Sequence, residues 1–276
     1  MSNYISTKIS ALSGHLRVPG DKSISHRALM LGAIAEGETL VYGLLKSGDV
    51  TCTANALSAL GAKIINRGDG AWSIMGVGAK GFTTPTIPLD MGNSGTSTRL
   101  LMGLISGYDV SAILGGDDSL SKRPMSRVID PLTEMGAVFK ANEGGRLPLK
   151  MDGSSALKPI TYKLPVASAQ VKSALLLAGL NAKGTTKITE LEPTRDYTES
   201  MLKAFGVEIT TDGLEITIEG GQTLEGCAID VPADPSSAAF PTVAALLCEG
   251  SEVRLNNIGI NARRFGLYET LIDMGA

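Results

Sequence analysis

Four glycines, Gly61, Gly136, Gly206 and Gly275, each close a Leu-x-x-x-Gly pattern and recur about every 70 residues. The chain before each of them follows one plan. A short polar or Gly/Pro-containing stretch runs into an apolar helix, then a glycine, a strand and a second helix. The four openings are GDKSISHRALMLGAIA at Gly20, GNSGTSTRLLMGLIS at Gly92, PVASAQVKSALLLAG at Pro165 and ADPSSAAFPTVAALL at Ala233. A period this long marks a repeated supersecondary unit rather than a solenoid turn. Helix and strand signals alternate within it, so the fold class is α/β (α+β), built from βαβαβ-like units.

Each first helix begins with cap chemistry. Asp21 or Ser23, Asn93 or Ser94, Ser168, and Asp234 or Ser236 can accept bonds from free helical N–H groups. Runs such as RLLMGLI and SALLLAGL are apolar on every side, which is the pattern of a buried helix. Several such N-termini converging on one cleft would form an anion site.

The bulk charge gives no help to such a site. Lys+Arg is 25 and Asp+Glu is 28, a formal net charge of -3. A general nucleic-acid or acidic-membrane binder would be basic, and aromatic residues at 4% are too few for base-stacking surfaces. Cationic chemistry must therefore be local. Cys52, Cys227 and Cys248 are odd in number and form no CxxC pair, so they read as buried small apolar residues in a reducing compartment. The N-terminus MSNYISTKISALSG lacks a signal pattern, and no apolar run approaches the ~20 residues of a membrane span. A cytoplasmic location is expected. His15 and His26 have no partners at metal spacing, and no GxSxG, P-loop or dinucleotide fingerprint is present. These signs favour chemistry without a metal or cofactor, on an anionic substrate.

Five stretches hold candidate ligands. They are Lys22, Ser23 and Arg27; Asn93, Gly95, Thr96 and Arg99; Lys122 and Arg123; Ser168, Gln170 and Lys172; and Arg195, Asp196 and Tyr197. A Lys point charge, hydroxyls and a bidentate Arg suit phosphate or carboxylate. Glycines let backbone N–H groups approach a ligand. Taken singly, each stretch reads equally well as a capped helix start or turn with surface cations.

Taken together they are specific. GDKSISHRA, GNSGTSTRLL, SLSKRPM, PVASAQVKSALLLAG, RDYTE and DPSSAAF stand in the order found in the 5-enolpyruvylshikimate-3-phosphate synthase (3-phosphoshikimate 1-carboxyvinyltransferase) family. The chain resembles the N-terminal two-thirds of that family, in the bacterial branch that includes glyphosate-tolerant enzymes. The resemblance implies two lobes of βαβαββ units around a cleft. Residues 20–233 would form a complete lobe of three units. Residues 1–19 would be a segment of the second lobe plus hinge, and residues 234–276 its truncated start. The fourth copy stops at MGA, where the others continue into a strand, so a longer parent protein is expected.

The implied reaction moves the enolpyruvyl group of phosphoenolpyruvate to the 5-hydroxyl of shikimate 3-phosphate, by addition and elimination. By matching motifs, Lys22, Ser23, Arg27, Ser168, Gln170 and Arg195 would hold shikimate 3-phosphate. Lys22, Asn93, Gly95, Arg123 and Gln170 would hold phosphoenolpyruvate, with Lys22 between the ligands as the catalytic candidate. A monomeric full-length enzyme without nucleic-acid or membrane partners is implied. The family's acidic proton-transfer residues match no part of this chain, so the chain alone is expected to be inactive or to bind shikimate 3-phosphate only. Ala169 stands where many relatives carry Ser, Tyr197 where RDHTE forms carry His, and NARR at Asn261 where NPTR is commoner; the last two are expected to lie away from essential chemistry. The related UDP-N-acetylglucosamine enolpyruvyl transferases usually carry a Cys in the loop matching GGDDSLSKRPM and an Asn after the first Lys. Here that loop has no Cys, and Ser23 follows Lys22.

Overall fold

The computed structural model describes residues 5, 7–68 and 70–276. The chain runs β1 (Ser13–Leu16), α1 (Lys22–Ile34), β2 (Glu38–Tyr42), α2 (Gly48–Ala59), β3 (Lys63–Gly68) and β4 (Ala71–Met75). The second repeat holds β5 (Leu89–Asp90), α3 (Gly95–Ser106), β6 (Ser111–Gly115), α4 (Asp118–Ser121), α5 (Ser126–Met135), β7 (Val138–Asn142) and β8 (Arg146–Asp152). The third holds β9 (Thr161–Lys163), α6 (Ala169–Gly179), β10 (Thr185–Thr189), α7 (Tyr197–Ala204), β11 (Ile209–Asp212) and β12 (Glu215–Glu219). Then come β13 (Ala228–Asp230), α8 (Pro235–Leu246), β14 (Glu252–Leu255) and α9 (Gly266–Asp273).

Among the described residues, three four-stranded sheets share one topology. Their orders are β13-β2-β4-β3, β5-β6-β8-β7 and β9-β10-β12-β11. In each, the outer strand lies parallel to its neighbour and a hairpin completes the sheet antiparallel. The unit is thus βαβαββ, one strand longer than the periodicity alone indicates. Among the described residues, the first repeat has no strand of its own before α1 at the sheet edge. That place is taken by β13, which follows the third repeat and pairs with β2 from Ala228–Leu40 to Asp230–Tyr42. The chain therefore leaves this body beside where it entered: Gly20 bridges Ala233, and the Asp21 amide donates to the Pro232 carbonyl at 2.8 Å.

The repeat glycines have a backbone reason. All four adopt positive φ, from 85° at Gly206 to 114° at Gly136. That conformation turns the chain out of each second helix, and glycine enters it without a Cβ penalty. The strands alternate as one-sided sheets do: Leu147, Leu149 and Met151 of β8, and Ile216 and Ile218 of β12, point into the core. Helices α1, α3 and α6 lie within one continuous apolar core, as their all-round apolar pattern requires.

The fourth copy departs from that reading. Helix α8 is equally apolar, yet only Pro235 and Ala238 are buried, and Phe240 and Leu247 are each 80% exposed. It belongs to a small separate cluster of Val18, Ala233 and Ala238, packed by Leu255, Ile258 and Tyr268, beside the parallel pair β1–β14. The cysteines also depart from expectation: all three are half-buried rather than buried. Among the described residues, no helix is long and apolar enough to cross a membrane.

Candidate active site

Asp21, Ser94, Ser168 and Asp234 cap α1, α3, α6 and α8, accepting bonds from the amides of Ile24, Ser97, Val171 and Ser236. The caps leave the remaining first-turn N–H groups and the positive helix ends available to anions. Side-chain bonds tie the first two turns of α1, α3, α6 and α7 together. Gln170 donates to the Thr96 hydroxyl at 2.9 Å and accepts from Arg99 Nη1 at 3.1 Å. Arg27 Nε donates to the Thr198 hydroxyl at 2.7 Å, and Nη2 to the Ser173 hydroxyl at 2.7 Å.

One cluster is built around Arg99 and Arg123. Arg123 donates to the Asn93 side-chain carbonyl at 2.6 Å, and the Asn93 amide donates to Asp117 at 2.6 Å. Asn93, Gly95, Arg123 and Gln170 thus lie together around the two guanidiniums. Gly95 sits between the cations: a Cβ there would lie 2.8 Å from Arg99 Nη1 and 3.3 Å from Arg123 Nη1. Burial lowers the pKa of Arg99, and Arg123 and Arg127 lower it further, the signature of a cation among cations. Arg99 stood in one of the five stretches, but spacing alone did not distinguish it as a centre of the cluster.

A second cluster holds Arg27 and Arg195. Arg27 is only 4% exposed. Its Nη1 donates to the Ser23 carbonyl at 3.0 Å, and burial brings its pKa down to about 10, leaving it charged at neutral pH. Arg195 lines a cavity of about 350 Å³ with Ala167 and Ala169 at the mouth of α6, and with Arg263 and Arg264. Among the described residues, Arg195 and Arg263 form no ion pair within 4.0 Å. The NARR stretch therefore reaches the cavity that Arg195 lines. Arg264 pairs with Asp234 at 3.0 Å, and Asn261 donates to Asp196 at 2.6 Å. Tyr197 is buried at the start of α7. Its hydroxyl donates to the Asp21 cap at 3.4 Å, and burial raises its pKa to about 12.

Lys22 stands apart from both clusters. At the first position of α1 it ion-pairs with Asp49, in the first turn of α2. Its charge reaches a ligand only if it releases or shares that carboxylate. A larger cavity, about 440 Å³, lies at the opposite ends of α1, α3 and α6, lined by Ile34, Tyr108 and Asn181. Helix C-terminal carbonyls face that end, which disfavours an anion.

His26 serves the scaffold between these groups. It is fully buried, with Nδ1 2.9 Å from the Thr53 hydroxyl and 3.1 Å from that of Ser97. Burial, aided by Lys22, lowers its pKa to about 3. The folded protein thus keeps it neutral while the unfolded chain takes up a proton below pH ~6.5. Its contribution to stability is present above that pH and is lost as pH falls towards 3, to the order of a few kcal/mol. Urea midpoints between pH 7 and pH 4 should fall less steeply in His26→Gln than in the parent; parallel profiles would contradict this.

Comparison with known proteins agrees with the motifs. The model of the EPSP synthase (3-phosphoshikimate 1-carboxyvinyltransferase) family matches residues 6–276. The chain belongs to the EPSP synthase family. It is 57% identical over 270 residues to a 3-phosphoshikimate 1-carboxyvinyltransferase of Parvibaculum lavamentivorans, covering 96% of this chain and 60% of that one. It is 55% identical over 276 residues to the protein of that description from Paramagnetospirillum magneticum, covering 98% of this chain and 62% of the relative. The solved EPSP synthase of Acinetobacter baumannii superposes with a TM-score of 0.91 at 50% identity, covering 96% of this chain and 60% of the other. The chain spans about three-fifths of the length of these EPSP synthase relatives.

Proposed function

We propose that a full-length protein carrying this sequence transfers the enolpyruvyl group of phosphoenolpyruvate to the 5-hydroxyl of shikimate 3-phosphate, releasing inorganic phosphate. It acts in the cytoplasm, as a monomer, in the pathway to chorismate and the aromatic amino acids. The observation that carries this reading is the adjacency of the two cationic clusters, joined through α6, in a chain of this family. Arg27, Arg195, Ser23 and Ser168 hold the shikimate phosphate and hydroxyls. Asn93, Arg123 and the Gly95 turn hold phosphoenolpyruvate. Gln170, already bonded between Thr96 and Arg99, serves both. Residues 20–233 act as one lobe, and residues 1–19 and 234–276 belong to a second; of these, residues 1–4, 6 and 69 lie outside the described residues.

Two multiply charged anions repel each other, and holding them in reactive register is much of the catalytic task. Fixed guanidinium and amide donors also meet the charge that builds as the tetrahedral intermediate forms and collapses, without reorganising. Lys22 is the one exposed ammonium at the start of α1 in this scheme, and ligand binding draws it from Asp49 to move protons between the substrates. Phosphate release from the two substrates by the full-length protein tests the reading. Its absence, with correct folding, would remove it.

Gly95 carries a specific expectation. The added methyl of Gly95→Ala meets the movable ends of Arg99 and Arg123. The fold should tolerate it, while glyphosate should be crowded more than phosphoenolpyruvate. The glyphosate inhibition constant should rise roughly tenfold or more, with little change in thermal midpoint. Equal constants for parent and variant would remove the steric argument.

A further inference from the structure

Behind the second cluster lies a set of charges that the proposed reaction does not use. Lys172 is 1% exposed, two residues beyond Gln170 in α6. Its Nζ is 2.9 Å from Glu190 Oε2, just past β10, and 2.7 Å from Glu199 Oε1 in the first turn of α7. The other oxygen of Glu190 accepts from the Thr194 amide at 3.3 Å and from the Thr194 hydroxyl. Arg195 is the next residue. One ammonium on α6 therefore holds both ends of the 190–199 segment, and Arg195 lies inside that segment.

The neighbouring residues extend the tie to α1. Ser173 follows Lys172, and Thr198 precedes Glu199. Their hydroxyls are bonded at 2.7 Å, and both accept from Arg27. Ser168 is linked as well, since its carbonyl accepts from the Lys172 amide at 3.1 Å.

We infer that Lys172, clasped by Glu190 and Glu199, is a positioning residue that fixes Arg195 and Arg27 relative to the mouth of α6. This rests on the reading of that cluster as the shikimate 3-phosphate subsite. Stability is a poor reason for the arrangement. Burying three charges is expensive, and apolar groups of the same volume often serve a fold as well or better. Here two carboxylates share one ammonium, and Glu199 Oε2 is buried without a hydrogen-bond partner. The arrangement gives geometry: two charged contacts from one ammonium, to Glu190 and Glu199, set the approach of α6, the end of β10 and α7, where an apolar plug would let them slide.

The test compares full-length parent, Lys172→Met, and a neutral variant combining Lys172→Met, Glu190→Gln and Glu199→Gln. The single variant strands two carboxylates and can fail to fold. The neutral variant keeps the volume and the local acceptor for Thr194. It should retain the parent's thermal midpoint or exceed it, and its KM for shikimate 3-phosphate should rise about tenfold to a hundredfold. Its KM for phosphoenolpyruvate should change less than about twofold, because the Arg99–Arg123 cluster is untouched. A neutral variant that unfolds, or whose two KM values move together, would show a structural role and overturn the inference. So would an unchanged KM for shikimate 3-phosphate. If the parent itself shows no saturable dependence on shikimate 3-phosphate, the reading of the subsite falls, and the inference falls with it.

Discussion

Gly103→Ala should destabilise the protein by about 3 kcal/mol. Gly103 lies midway along α3, where that helix crosses α6. A Cβ there would stand 2.1 Å from the Ala174 carbonyl oxygen and 2.6 Å from its carbonyl carbon. These are backbone atoms of a buried helix and cannot rotate away. The helices must part, and the close-packed core on either side gives little room. The damage reaches the site, because α3 and α6 carry Thr96, Arg99 and Gln170, whose bonds need the present spacing. Urea denaturation of the chain would measure the loss. Gly48→Ala is the control: it opens α2, and a Cβ there meets nothing within 4 Å. Equal midpoints for Gly103→Ala and parent would mean that the crossing is looser than described.

Arg27→Leu should combine loss of stability with loss of ligand. The guanidinium sits in the core and spends three N–H bonds on Thr198, Ser173 and the Ser23 carbonyl. Its removal leaves the Ser23 carbonyl and the two hydroxyls without a charged donor and removes positive charge near buried Glu199, at about 2–3 kcal/mol. The remaining guanidinium donors are the ones proposed to meet shikimate 3-phosphate, whose Kd should rise at least roughly tenfold. Arg27→Lys separates the two effects. It keeps the charge, but a single ammonium cannot reproduce the fork that spans Thr198 and Ser173. It should recover much of the thermal midpoint and little of the affinity. Full affinity in Arg27→Lys would mean that charge alone, not the fork, holds the ligand.

Local chemistry was readable in the sequence, and long-range pairing was not. The caps at Asp21, Ser94, Ser168 and Asp234 follow from hydroxyl and carboxylate groups placed before apolar runs. The four glycines at positive φ follow from the Leu-x-x-x-Gly pattern. Both are contacts within a few residues. β13 is different: Ala228–Asp230 is three residues long and gains its place only by pairing with β2, nearly two hundred residues earlier. Lys172 stands among the candidate ligands by its place in the stretch, and nothing nearby in sequence announces its partners Glu190 and Glu199. Asp49 is likewise the hidden partner of Lys22. In α8 the apolar pattern misled, since periodicity reports what a helix can bury but not what lies against it. Arg263 and Arg264 stand in the NARR stretch, which the sequence places away from essential chemistry. Folding brings them to the Arg195 cavity all the same.

We propose that α1, α6 and the start of α7 bring Arg27, Ser168, Gln170 and Arg195 together as a phosphate-ester site. Calorimetric titration of shikimate 3-phosphate into this 276-residue chain, beside Arg195→Ala, tests it most directly. Saturable heat in the parent that disappears in the variant is the predicted result. Heat of equal size in both would contradict the placement of Arg195, and no heat in either, from folded protein, would contradict a preformed site.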